Sequence, residues 1–289
     1  MKRILPPISS IAYWIRFVAD CRALSLGGSA KILTNKGIFA IRHALRRFAT
    51  ARSGPLSGWL NAPFNLRGLV TWSPASKAWY VLEDEGTSVA MTKSREEPEE
   101  WMLDVLLPGM TVIDVGAHQG RYAIQLSRHV GQTGLVVAVE PDPRNLALLN
   151  RNIELNGIQN VRSILAACWS GREPLQFLRG KTLDVSRVCQ SSSENMELIG
   201  LPLDDLVDEL ALRRLDQVKI DVEGAELAVL DGGAETIRKF KPFLFVEFHQ
   251  SLPILTDWLV AHGYQIAHHA KDSFAEDYGW IWAVPTADN

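Results

Sequence analysis

Residues 112–120 read VIDVGAHQG, a β-branched apolar run that ends on an acid and breaks at glycine. Such a run predicts a strand at 111–115 that feeds a tight turn and then a helix at 120–130. Gly116 falls where the chain must reverse, and Gly120 where the helix starts. Outward from this stretch, strand-like runs recur at 135–140, 161–166, 174–178, 217–221, 242–248, 264–268 and 280–284. Helix-like runs at 143–156, 202–212, 224–240 and 252–262 fall between them. Continuous apolar strands alternating with amphipathic helices predict an α/β fold: a mostly parallel sheet with helices on both faces. The last two strand runs have no helix between them, so an antiparallel pair is expected at one end.

The chemistry-bearing residues cluster just after these strands, where ligands of open α/β sheets bind. The spacing after the first strand is D-x-G-x-x-x-G (Asp114, Gly116, Gly120), not the G-x-G-x-x-G that turns backbone amides onto a pyrophosphate. S-adenosylmethionine carries a sulfonium, an ammonium and one carboxylate and no phosphate, so an acid at this turn suits it. Asp114 is expected to position the loop or to meet the ammonium directly or through water. Glu140 ends the second strand, 20 residues after Gly120, and a carboxylate there accepts two hydrogen bonds from a ribose diol. Pro141, Asp142 and Pro143 open the following helix, which carries Asn145; Asp142 is placed to cap it or to lie beside the adenine. Ala166 and Ala167, after the third strand, are small enough to let the chain pass close to the adenine ring.

The run VKIDVEGAEL (218–227) brings Asp221 to a strand end, with Glu223 and Glu226 following. Helix-start chemistry explains part of this acid density, and Lys219 is placed to neutralise one of the three. The run VEFH (246–249) adds Glu247 and His249 at the same edge. Asp221 is the first candidate for a general base or a substrate-orienting residue, with Glu223 behind it, and His249, which titrates near neutrality, is a second candidate for taking a hydroxyl proton.

The charge is unevenly spread. Residues 1–53 carry ten Lys or Arg against one acid, Asp20, a net +9, while the remainder sums to −12. An acidic body repels phosphate backbones, so no nucleic-acid partner is expected. The basic segment predicts a helix at 8–24, with Ile11, Trp14, Ile15, Val18 and Cys21 on one face, and a second at 38–50. Both are suited to peripheral contact with a membrane or a protein, or to packing on the main domain. Residues 51–68 read as a linker, 78–83 and 88–92 as a β-hairpin, and 96–107 as a helix. Three scattered cysteines imply neither a disulfide framework nor a metal site, and a cytoplasmic address is expected. No apolar run reaches the length of a transmembrane helix.

The motifs VIDVGAHQG, VAVEPDPRNLALLNRNIELNGIQNV, LPLDDLV, VKIDVEGAELAVLDGGAETI and PFLFVEFH, in this order, resemble the FkbM family of methyltransferases from about residue 97 to 250. The resemblance implies a Rossmann-like seven-stranded class I fold, S-adenosyl-L-methionine as donor, and O-methylation in natural-product or glycan pathways. By motif position it carries the donor loop onto Asp114, Gly116 and Gly120, the ribose acid onto Glu140, and the KIDVEG segment onto Asp221 and Glu223. His118 stands where the family commonly has Asn, and Arg121 where it often has an aromatic or small residue.

The resulting expectation has three parts: a basic helical extension (1–53), a linker with a hairpin (54–95) and a methyltransferase domain (96–289). Donor-binding residues are Asp114, Gly116, Ala117, His118, Gly120, Glu140, Pro141, Asp142, Asn145, Ala166 and Ala167. Catalytic residues are Asp221, Glu223 and His249, acting on a small-molecule or carbohydrate hydroxyl, with no metal. The alternative is a donor-binding or docking module without transfer activity.

Overall fold

In the computed structural model the described residues are 22–23, 68–83, 91, 97–178, 187–189, 196–249, 252–271 and 278–287. The chain divides into two compact units, residues 1–94 and 95–289. In the first, β1 (Arg22–Ala23), β2 (Leu69–Ser73) and β3 (Ala78–Leu82) form an antiparallel sheet in that order. Trp72 and Trp79 face each other across the β2–β3 pair, ring centroids 5.3 Å apart. The hairpin is therefore built from 69–73 and 78–82. Of the partner run expected at 88–92, Met91 alone is described, and it is helical. The helix expected at 8–24 lies outside the described residues except for its end, where Arg22–Ala23 is strand. The helix expected at 38–50 and the linker expected at 51–68 also lie outside them, apart from Gly68.

The second unit runs α1 (Glu97–Asp104), β4 (Thr111–Val115), α2 (Arg121–Val130), β5 (Leu135–Glu140), α3 (Pro143–Leu155), β6 (Val161–Leu165), β7 (Ala167–Cys168), β8 (Pro174–Leu178) and β9 (Arg187–Cys189). It continues with β10 (Met196–Leu201), α4 (Leu203–Glu209), β11 (Gln217–Ile220), α5 (Glu226–Asp231), α6 (Ala234–Phe240), β12 (Phe243–His249), α7 (Leu252–Ala261), β13 (Tyr264–Lys271) and β14 (Tyr278–Pro285). The main sheet has seven strands in the order β13-β14-β12-β11-β4-β5-β6. The pairs from β12 through β6 are parallel; β14 runs antiparallel to both β12 and β13. This is the mostly parallel sheet with an antiparallel end that the sequence predicts.

The strand period of two divides the core. Ile113, Val115, Val218, Ile220 and Val246 point to the face packed by Leu206, Val229, Leu230, Ile237 and Leu255 from α4 to α7. Val112, Val136, Ala138, Phe245 and Trp282 point to the face packed by Met102, Leu103, Ala123, Leu126 and Val130 of α1 and α2. Fully burying such an aliphatic side chain contributes about 1.5–3 kcal/mol, so each face anchors the strand ends between them.

Two elements differ from expectation. The run 174–178 is a strand, but it joins a second, four-stranded sheet, β7-β10-β8-β9, rather than the main one. Arg187–Cys189 and Met196–Leu201 supply two further strands of that sheet. The helix expected at 224–240 is two helices that break at Gly232–Gly233. A Cβ on Gly232 would lie 2.1 Å from the Trp169 carbonyl oxygen, so the break lets two backbones meet.

Candidate active site

The strand order reverses between β4, whose chain continues to β5, and β11, whose chain continues to β12. A crevice opens at such a switch point, beyond the carboxyl ends of the strands. Gly116 stands there with φ +76°, and a Cβ on it would lie 1.9 Å from the Asp221 carbonyl oxygen. The two strand ends are also tied by the Asp221 amide, which donates to the Val115 carbonyl at 3.1 Å. His118 (φ 53°) and Gly120 (φ 89°) are left-handed as well.

The loop amides are spent on the protein. Gly116 N and Ala117 N both donate to the Val139 carbonyl at 3.0 Å, Gly120 N donates to the Ala117 carbonyl at 2.9 Å, and His118 N donates to Glu140 Oε2 at 2.8 Å. A pyrophosphate site needs such amides turned outward. These are turned inward, which suits a ligand without phosphate.

Glu140 is the centre of this half. Its carboxylate accepts from His118 N, from Asp142 N at 2.9 Å and from Asn145 Nδ2 at 3.4 Å. Burial pushes its pKa up to about 7, against the backbone N–H groups of Asp142 and His118, which favour the charged form. Asp142 is fully buried and caps α3: Oδ1 accepts from Arg144 N at 2.9 Å, and its carboxylate pairs with the Arg144 guanidinium at 2.7 Å. Pro141 is half-buried beside it, and Ala166 N donates to the Glu140 carbonyl at 3.3 Å. Ala167 is buried in β7, in the second sheet.

Beneath the crevice lies a buried ion pair. Lys219 Nζ is 2.9 Å from Asp114 Oδ1, 3.5 Å from Asp221 Oδ2 and 3.1 Å from the Gly116 carbonyl, with the Tyr122 ring centroid 4.8 Å away. Burial works against the ammonium, but Asp114 and Asp221 outweigh it and hold its pKa above the ordinary lysine value. Asp114 and Lys219 are register partners on adjacent strands, which puts both side chains on one face. Arg121 Nη1 is 2.7 Å from Glu99 Oε1 and Tyr122 donates to the same oxygen at 3.2 Å, fixing the start of α2.

The other half is made of side chains. Asp221 and Glu223 are half-buried after β11, and Glu223 is held at φ 54°. Glu226 is buried; its Oε1 accepts from Gly224 N at 2.9 Å and lies 2.7 Å from His249 Nδ1. His249 Nε2 lies 3.5 Å from Glu223 Oε2, and the Tyr278 ring packs on the imidazole at 5.0 Å. Burial lowers the imidazole pKa, but Glu226, Glu223 and Asp221 more than offset it, so His249 is held above its ordinary value. Tyr278 donates to Glu247. Glu226 and Tyr278 were not among the sequence candidates, and the partnership of Lys219 with Asp114 was not foreseen. Among the described residues, no group of three or more His, Cys, Asp or Glu is arranged to hold a metal, and no helix is long and apolar enough to cross a membrane.

Such a sheet, with a glycine turn whose amides face inward and a buried carboxylate at the second strand end, defines a class I methyltransferase domain that takes S-adenosylmethionine. Comparison with known proteins agrees on the family. Residues 114–266 match the FkbM methyltransferase domain model, and the chain belongs to that family. It is 26% identical over 145 residues to Methyltransferase 1 of Beauveria bassiana, covering 42% of this chain and 57% of that protein. It is 43% identical over 53 residues to the protein-L-isoaspartate O-methyltransferase of Thermotoga maritima, covering 18% of this chain and 17% of that enzyme. The chain thus spans less than two thirds of either relative. The crystal structure of an FkbM methyltransferase from Methylobacillus flagellatus superposes with a TM-score of 0.44 at 20% identity, over 65% of this chain and 50% of that one.

Proposed function

We propose that this domain methylates a hydroxyl oxygen of a small molecule, sugar or glycan. The observation that carries the reading is the pairing at one sheet edge of a phosphate-averse loop (116–120) with Asp221, Glu223 and His249. In this reading Gly116 and Ala117 line the donor's approach, with His118 and Gly120 completing the loop. Glu140 accepts the ribose hydroxyls, Pro141, Asp142, Asn145, Ala166 and Ala167 border the adenine, and Asp114 acts from beneath through Lys219.

Bound there, S-adenosylmethionine supplies an electrophilic methyl group already attached to a good leaving centre. The protein's task is then orientation and exclusion of water, and fixing two reactants in line is worth about 7–11 kcal/mol in favourable cases. Asp221, its charge balanced by Lys219, accepts a hydrogen bond from the acceptor hydroxyl and aims its oxygen. A neighbouring base that takes the proton adds roughly 10²–10⁴-fold. Oxygen as the target is supported by that donor-and-base arrangement and by the short likeness to an O-methyltransferase. The net −12 of the chain beyond residue 53 favours a small acceptor over a nucleic acid. The same reading takes 96–289 as the catalytic domain and 54–95 as linker and hairpin. It takes 1–53 as a basic extension able to dock at a membrane or protein surface, in the cytoplasm.

The test is incubation with labelled donor and a panel of polyols, sugars and phenols, the product being located by mass spectrometry. The expected product is a methyl ether, lost in Asp221→Ala while donor binding persists. Methyl found only on nitrogen or carbon, or unchanged turnover in Asp221→Ala, would contradict the reading.

A further inference from the structure

Two groups at the acceptor edge are able to receive a proton, and the structure separates their duties. Asp221 shares the buried ammonium of Lys219, 3.5 Å away. His249 is instead gripped from one side. Glu226 is 1% exposed, comes from the first turn of α5, and presents one oxygen, Oε1, to both Gly224 N and His249 Nδ1. An ionised carboxylate only accepts hydrogen bonds, so the Nδ1 it faces must carry the hydrogen. The Gly224 amide fixes that oxygen, and the edge of Tyr278 limits rotation of the ring. Nε2 is left toward the half-buried Glu223, on the side of Asp221.

We propose that Glu226 is a positioning residue that locks His249 in the Nδ1–H tautomer and thereby makes Nε2 the proton acceptor for the hydroxyl being methylated. The last clause rests on the functional reading above; the tautomer does not. As the acceptor oxygen bonds to the methyl carbon, the methyl–sulfur bond breaks and leaves its electron pair on sulfur. The hydroxyl proton passes to Nε2. The imidazolium so formed lies between Glu226 and Glu223, with Asp221 at the end of β11, Tyr278 from β14 and Glu247 on its own strand as the other titratable groups around it. The negative charge of Glu226, Glu223 and Asp221 stabilises it, so His249 is a stronger base than a free imidazole and becomes available only as the pH rises past its elevated pKa.

The experiment is nitrogen-15 NMR of histidine-labelled full-length protein without donor, with the His249 signals assigned from His249→Gln. Above the titration midpoint, wild type is expected to show the Nδ1–H tautomer, with a midpoint above the ordinary 6.5. In Glu226→Gln the amide oxygen still orients the ring but the charge is gone, so the midpoint falls; in Glu226→Ala the tautomer preference disappears. With an acceptor in hand, Glu226→Gln shifts the acid limb of the kcat profile to lower pH, and Glu226→Ala, in which the tautomer is free, lowers the plateau by roughly 100-fold; donor affinity is unchanged in both. A purely structural Glu226 leaves that limb in place. An Nε2–H tautomer in wild type, or an unmoved midpoint in Glu226→Gln, overturns the proposal. If wild type transfers no methyl group while the tautomer is as stated, the functional reading falls and the positioning role of Glu226 stands.

Discussion

The two halves of the crevice are built from different materials. On the β4–β5 side, shape is set by backbone: left-handed residues at 116, 118 and 120, and loop amides that end on Val139, Ala117 and Glu140. On the β11–β12 side, it is set by titratable side chains: Asp221, Glu223, Glu226 and His249. A half that holds one constant ligand gains from a rigid backbone, because no rotamer has to be frozen on binding. Under the proposed reaction the second half moves a proton, and that needs groups whose charge can change. Lys219 joins them, touching Asp114 and the Gly116 carbonyl on one side and Asp221 on the other.

The sharpest way to break the backbone half is Gly116→Ala. The new methyl group would meet a carbonyl oxygen at 1.9 Å in a conformation that L residues avoid. A loss on the order of 4 kcal/mol or more is expected in denaturant unfolding, with donor binding abolished. Near-normal stability would mean the loop is not pinned against β11.

The joint between the halves comes next. Lys219→Met leaves Asp114 buried without its counter-ion, and breaking a buried pair on one side costs about 3 kcal/mol or somewhat more. Lys219→Met combined with Asp114→Leu is expected to recover most of that loss, because both charges are gone. Failure to recover would show that the Gly116 carbonyl contact, not the ion pair, is what Lys219 supplies.

The contrast between the halves also explains what the sequence disclosed. Gly116, Gly120 and Glu140 were legible because their chemistry is local: a turn, a helix start, a strand end at fixed spacing. The strands were legible because burial on both faces leaves an unbroken apolar run. Glu226 reads as helix-start acid because its partner, His249, is 23 residues away at the end of β12. Lys219 carried a usable signal: a lysine between Val218 and Ile220 in a buried strand needs a counter-ion. Only the register of β4 against β11 identifies it as Asp114, 105 residues earlier. The strand at 174–178 was read correctly as a strand, yet which sheet it joins depends on pairing with β10, which no local pattern encodes. LVTWS at 69–73 carries the β-branched and aromatic residues of a strand, but that it, and not 88–92, pairs with 78–82 is a matter of partner choice.

Whether the Glu140 carboxylate organises the backbone half as a donor site is decided by calorimetric titration of S-adenosylmethionine across pH. Burial raises the Glu140 pKa to about 7 from 4.5. Its contribution to the stability of the donor-free protein is therefore full below about pH 4.5 and lost as pH rises through 7. If Glu140 accepts both hydroxyls of a ribose diol, donor binding favours the charged form and runs the opposite way. One site per chain is expected, with affinity that rises up to about pH 7 and proton release below it, and with binding in Glu140→Gln that is weaker by about 2 kcal/mol and flat with pH. No binding heat in wild type, or a Glu140→Gln variant that binds with the same affinity and pH dependence, would contradict that organising role.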